Sequence, residues 1–240
     1  MFTSRLKIAA VLVFVLAALA SWTASRSTPP APPSELADLL AHVSIAPAHP
    51  APGYDRRCGG SHGCVFGPDK SDDHAGLDGH NGCDGFNDLA RTMMTHLVPA
   101  NGCVVTSGEW VDPYTGQVTR FVRDQAPTPT IEHIVALRTA WDRGASAWTQ
   151  QRRVDFANDH QLNLLLVAGS INASKGDRSP SQWLPPLASA RCPFVTRYLQ
   201  VSLRWNLPIT PADHDAIASL APACSSPPEW TSWPKPQDGS

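Results

Sequence analysis

Glu132 and His133 stand side by side within Thr130–Leu137, Asn163 follows in the next apolar run, and Asn172 follows in the segment after that. These residue types suit metal-assisted hydrolysis of a phosphodiester. That reaction needs a base to deprotonate water in line with the leaving oxygen and a cation to neutralise the phosphorane. A neutral imidazole, with an ordinary pKa of about 6.5, takes up a proton near neutral pH. A hard cation takes oxygen ligands from carboxylates, amide carbonyls, phosphate and water. The division of labour this suggests is Glu132 as ligand, His133 as general base and Asn172 as a further oxygen ligand. Adjacent side chains of a regular strand point to opposite faces. Glu132 and His133 therefore flank one ion only if the strand ends or bulges between them. The plainer alternative is a surface Glu–His ion pair, with Asn163 in a turn and Asn172 bonding to backbone in the first turn of a helix.

The elements that would position these residues read as α+β. Ile131, Ile134 and Val135 give Thr130–Leu137 strand character, and Leu162-Asn-Leu-Leu-Leu-Val167 is nearly all apolar, as a short buried strand is. Ser170 is placed to cap a helix beginning at Ile171 and carrying Asn172 and Lys175. Between the strands, Thr139–Asn158 reads as helix in two pieces broken near Gly144. Upstream, Asp84–Leu97 steps Leu89, Met93 and Leu97 along one helical face. Cys103-Val-Val and Glu109-Trp-Val are strand-like, Asp112-Pro-Tyr-Thr-Gly116 is a turn, and Gln117–Val122 alternates as the returning strand of a hairpin. Downstream, Pro193–Trp205 and Pro211–Leu220 read as helices.

Of the 240 residues, the first 20 have the parts of a secretory leader: Arg5 and Lys7, an apolar run from Ile8, and the small-x-small exit Ala18-Leu19-Ala20. The apolar run is shorter than the roughly 20 residues a bilayer span needs. Export is the expectation, with an uncleaved anchor as the alternative and no stable membrane association once the leader is gone. Residues 21–52, which include Ser27-Thr-Pro-Pro-Ala-Pro-Pro-Ser34, read as a Pro-rich linker containing a short helix at Glu35–His42. Residues 53–224 form one domain, and 225–240 a Pro-rich tail. Six cysteines beyond the leader suggest disulfides. Fifteen pairings exist in principle; 58–64, 83–103 and 192–224 each close a local loop. The net charge of −2 falls to −4 once Arg5 and Lys7 leave with the leader, which argues against a globally basic nucleic-acid binder. Charge is uneven, however: between Ile131 and Trp205 nine Lys or Arg face five acids, a weakly basic stretch suited to a polyanion. Asp78, Asn81 and Asp84 do not follow the EF-hand order and read as turn residues. His160 is expected to be exposed. His62, His74, His80 and His96 match no zinc spacing.

Larger blocks of the chain are familiar as a set. Ile131-Glu-His-Ile-Val-Ala-Leu137, Ala140-Trp141, Gly144-Ala-Ser-Ala-Trp148, Arg153, Phe156-Ala-Asn-Asp159, Asn163-Leu164, Asn172-Ala-Ser-Lys-Gly-Asp177 and Trp183-Leu-Pro-Pro186 resemble the HNH, or His-Me finger, nuclease family. Its domain also forms the C-terminal part of the GmrSD restriction endonucleases, and many members are exported, cysteine-containing bacterial proteins. Asp78-Gly-His-Asn-Gly-Cys-Asp84, Ser107-Gly-Glu-Trp110 and Asp112–Gly116 extend the resemblance to roughly residues 55–224. It implies a ββα-metal core with added helices, an N-terminal loop-rich and hairpin region, and disulfides. It implies a secreted monomeric endonuclease of low sequence specificity acting on DNA, with RNA as a second candidate, and one divalent ion, Mg²⁺ before Mn²⁺. His133 matches the catalytic histidine, Asn163 the Asn that braces its loop, and Asn172 the helical metal ligand. Glu132 stands where the family usually has Asp, one methylene shorter, and Ala136 where it has Pro. Lys175 and Arg178 fall where phosphate contacts are expected. A catalytically impaired nucleic-acid-binding or structural module on the same scaffold is the rival reading.

Overall fold

The computed structural model describes residues 34–58, 64–76, 78–100 and 102–224. The expected leader, the linker up to residue 33 and the C-terminal tail lie outside the described residues, as does His62. What is described is a mixed α+β unit with two small sheets. In chain order it runs α1 (Glu35–His42), α2 (Gly85–Met93), β1 (Met94–Pro99), β2 (Val105–Val111), β3 (Val118–Val122) and β4 (Pro129–His133). It continues through α3 (Leu137–Asp142), α4 (Gln150–Ala157), β5 (Leu164–Ala168), α5 (Gly169–Lys175), α6 (Arg191–Trp205) and α7 (Pro211–Leu220). The first three strands form one antiparallel sheet in the order β1-β2-β3, and β4 pairs antiparallel with β5 in the other. No helix among the described residues is long and apolar enough to cross a membrane.

The apolar run around Leu164 forms a strand because both its faces are covered. Leu165 and Val167 belong to one core with Phe194, Tyr198 and Leu199 of α6, whereas Leu164 and Leu166 belong to a second with Phe86, Leu89, Trp110 and Phe121. Strand β5 is thus the partition between two cores. Gly144, with φ of +125°, breaks the α3–α4 segment as expected. Thr149 and Thr210 cap α4 and α7 through their hydroxyls, and Asp84 caps α2 through its carboxylate.

Three local expectations need correction. Helix α2 stops at Met93, because Met94–Pro99 pairs with β2 instead, and ladder hydrogen bonds outweigh the helical spacing of Leu97. Ser170 lies inside α5, whose N-cap is Ala168. The expected linker is part of the folded unit from Ser34 onward. Leu36 of α1 is buried in the larger core, Gln200 on α6 donates to Glu35 at 2.8 Å, and Ala51 N–H donates to Asp142 at 2.9 Å. Proline density in the preceding segment does not prevent an amphipathic turn from docking where an apolar groove awaits it.

Three disulfides join Cys58–Cys64, Cys83–Cys103 and Cys192–Cys224, and no described cysteine is free. The last ties the start of α6 to Cys224 across a separation of 32 residues. Loop-closure entropy for that length is worth about 3–4 kcal/mol. The C192A/C224A double variant should lose about that much stability in urea denaturation. A loss below about 1 kcal/mol would show that the bridge closes a loop already held by packing.

Candidate active site

Strand register decides what His133 and Glu132 face. His133 pairs with Leu164 and Glu132 with Leu165, and cross-strand partners share a face. His133 therefore turns toward the smaller core and Glu132 toward α5 and α6. The strand is regular at this point, so the two side chains do not flank a common position.

His133 is 8% exposed and lines a cavity of about 430 Å³. Its Nε2 lies 2.9 Å from the carbonyl oxygen of Ala157. A carbonyl can only accept, so Nε2 carries the hydrogen and the lone pair sits on Nδ1. Burial, reinforced by the positive charge of Arg56, lowers the His133 pKa to about 3. The imidazole is thus neutral across the physiological range. Asn163 holds the segment just after it. The Asn163 side chain accepts from Val135 N–H at 2.9 Å and donates to Val135 C=O at 3.4 Å, while its own carbonyl accepts from Ile134 N–H at 2.9 Å. Three hydrogen bonds from one residue thereby pin the chain where it leaves β4.

Glu132 is 2% exposed, and its Oε1 lies 2.7 Å from Lys175 Nζ, which is fully buried. Tyr114 donates its hydroxyl to the same oxygen at 3.4 Å, and Lys175 also donates to the carbonyl of His133 at 2.9 Å. Burial pushes the Glu132 carboxyl up, against the opposing pull of Lys175. Asn172 donates its amide to Ile131 C=O at 2.9 Å and to Thr130 Oγ1 at 3.2 Å. Among the described residues no group of three or more His, Cys, Asp or Glu is placed to hold a metal. Of the expected metal ligands, Glu132 does not fit a divalent ion in this arrangement. An ammonium already neutralises its carboxylate, whereas Asn172 commits only its amide nitrogen to β4. Lys175 is likewise not a phosphate contact, because its long stem runs inward and buries its charge against Glu132. Arg178 is exposed beyond α5 and donates to Ser174 C=O at 2.6 Å.

The neighbourhood of the site contains partners that sequence spacing did not indicate. Asp112 accepts from Tyr114 and Thr115 N–H through one oxygen and from Ala168 N–H, at 2.6 Å, through the other. The hairpin turn is thereby tied to the end of β5, and Tyr114 is carried to Glu132. Arg56, Lys70 and Arg123 reach the His133 cavity from segments far apart in sequence, and no motif linked them to it. His160, expected exposed, has a side chain only 7% exposed, with Nδ1 3.4 Å from Asp78 and its ring packed against His74. Asn81 and Asp84 do turn work, Asn81 accepting from Cys83 N–H at 2.7 Å and Asp84 capping α2.

Comparison with known proteins places this geometry in a group. Residues 100–220 match the family described as GmrSD restriction endonucleases, C-terminal domain. An uncharacterized secreted protein of Arthroderma benhamiae is 31% identical over 200 residues, an alignment covering 82% of this chain and 89% of that one. No solved structure matches the chain.

Two outcomes follow from the buried groups. Removing one member of a buried ion pair leaves the other charge uncompensated, at a cost of about 3–5 kcal/mol. Lys175→Met should lose that much in chemical denaturation, and E132Q/K175M should recover most of it; equal losses in both would dissociate the pair from stability. His133 has a folded pKa below its unfolded value, so between pH 6.5 and about 3 the unfolded state takes up the proton alone. Stability must then fall with pH in that window, by up to about 1.4 kcal/mol per unit from this group. His133→Gln should flatten the slope by that share, and an unchanged slope would mean His133 titrates normally.

Proposed function

Because the chain belongs to the family of the GmrSD restriction endonuclease C-terminal domain, we propose that it is an HNH-type endonuclease that hydrolyses phosphodiester bonds. DNA is the proposed substrate and RNA the second, with low sequence specificity. In this reading β4, β5 and α5 are the ββα unit and the active protein is a monomer. Export is proposed from the N-terminal leader pattern and from the name of the Arthroderma relative, a secreted protein.

The observation that carries the proposal is the tautomer of His133. With Nε2–H held by Ala157 C=O, Nδ1 is the nitrogen able to take a proton from a water in the cavity. As that proton arrives, positive charge develops on the ring and the Nε2–H···O=C bond strengthens, which holds the imidazolium in place. Asn163 keeps the ring aimed by fixing the chain at Ile134 and Val135. An anionic phosphodiester beside His133 offsets the charge of Arg56 and raises the ring's basicity when substrate is bound. A divalent cation, Mg²⁺ before Mn²⁺, is carried into the proposal by the family resemblance; bound, it would stabilise charge on the phosphate oxygens. Glu132, paired with Lys175, is not free to hold it in this arrangement.

The Glu132–Lys175 pair favours a second reading, a nucleic-acid-binding or structural module that has lost catalysis. Nicking of single-stranded circular DNA and of plasmid by the full oxidised chain in Mg²⁺, in Mn²⁺ and in EDTA separates the two. The expected result is nicking in at least one metal, abolished by EDTA and reduced about 10²–10⁴-fold in His133→Ala, the usual contribution of a general base. Silence in every condition, or a His133→Ala variant that cleaves as well as wild type, would leave only the second reading.

A further inference from the structure

Three cations open into the His133 cavity: Arg56, Lys70 and Arg123. They arrive from separate segments. Arg56 precedes the Cys58–Cys64 bridge, Lys70 lies in the loop before α2, and Arg123 follows β3. Arg123 is immobilised, donating from Nε to Val105 C=O at 2.8 Å and from Nη2 to Asn87 Oδ1 at 2.7 Å. Lys70 Nζ and the Arg123 guanidinium both lie near the Phe86 ring, at 5.4 and 5.9 Å from its centroid. Arg56 meets an exposed Asp69 oxygen at 3.4 Å, an ion pair of little strength in water. Asp69 and Asp124 also line the cavity, which leaves the set with one net positive charge around a neutral imidazole.

Building on the nuclease reading, we infer that Arg56, Lys70 and Arg123 hold the phosphates flanking the scissile bond of a single polynucleotide strand. These are the phosphate contacts that the buried Lys175 cannot make. Cations converging on a cavity that contains the base are where a polyanion gains most, since the low-dielectric walls concentrate the field. The recess decides strandedness. A duplex carries its phosphates on a stiff surface with a persistence length of about 150 base pairs, and His133, 8% exposed, lies below the protein surface. A flexible single strand can bend a phosphate into a cavity of about 430 Å³. Two of the three cations belong to the region before residue 100, outside the part matched by the family. Substrate grip is therefore supplied by the cysteine-bridged N-terminal segment and the base by the matched domain.

The test is binding of a fluorescein-labelled single-stranded DNA oligonucleotide, and of the same sequence as a duplex, by the full oxidised chain in EDTA across a salt series. Wild type should bind the single strand more tightly than the duplex. Arg56→Gln and Lys70→Gln should each weaken single-strand binding about tenfold and shallow the salt dependence by about 0.7 for each phosphate no longer neutralised. Arg57→Gln removes the same charge one residue along, from a side chain 89% exposed and outside the cavity, and should bind as wild type. If wild type binds but Arg56→Gln and Lys70→Gln match it, the phosphate assignment is wrong and the nuclease reading stands. Equal affinity for duplex overturns the single-strand assignment. If wild type binds neither form, the phosphate assignment falls, and the cleavage assay alone decides the nuclease reading.

Discussion

The ladder between β4 and β5 is buried on both faces, and the rest of the molecule is arranged around that constraint. A strand enclosed on both sides has no tolerance for register slip, since a shift by one residue would exchange every side chain between the two cores. Leu164 and Leu166 serve the core beneath the three-stranded sheet, while Leu165 and Val167 serve the core built on α6. Through the ladder, the same alternation is imposed on β4. His133 is thereby delivered to the cavity and Glu132 to the opposite side.

That separation explains the chemistry of each residue. A carboxylate buried without compensation costs several kcal/mol, and Lys175 supplies the compensation by burying its own ammonium at 2.7 Å. The pair serves as a joint as well as a neutralisation. Lys175 also bonds the carbonyl of His133, so α5 is fastened to the strand residue that carries the imidazole. Asn172, one turn earlier on the same helix, fastens to Ile131. Asn172 and Lys175 act here as fasteners between helix and strand. On the other face, burial together with the positive charge of Arg56 keeps His133 neutral.

The remaining elements connect to this centre through a few hydrogen bonds. Asp112 ties the β2–β3 turn to the end of β5 and places Tyr114 against Glu132. Asn87, in the helix capped by Asp84, accepts from Val105 N–H and from Arg123, which joins α2, β2 and the cavity wall. Arg143 and Asp213 form a second buried ion pair, with Ser179 and Ser181 donating to the same carboxylate; these hydrogen bonds and Arg143 hold the Asp213 carboxyl at about 2 despite burial. This pair links α7 to the α3–α4 bend on the far side of the core.

Much of this was legible in the chain itself, wherever the cause is local. The break at Gly144 and the apolar run at Leu164 carry their physics within a few residues, and each of the three cysteine pairs closes a loop along the chain. The candidates His133 and Asn163 were legible for a related reason: their types and order name a chemistry before any neighbour is known. Non-local competition decided the rest. Whether Met94–Pro99 extends a helix or pairs as a strand depends on β2, and whether α1 is linker or core depends on a groove formed by α6 and α7. The sequence alone determined that a histidine, a carboxylate and two asparagines would meet near one strand–strand–helix unit. Only tertiary structure decided that the carboxylate would face a lysine and the histidine a cavity ringed by distant cations, because a strand's two faces are told apart only by what packs against them.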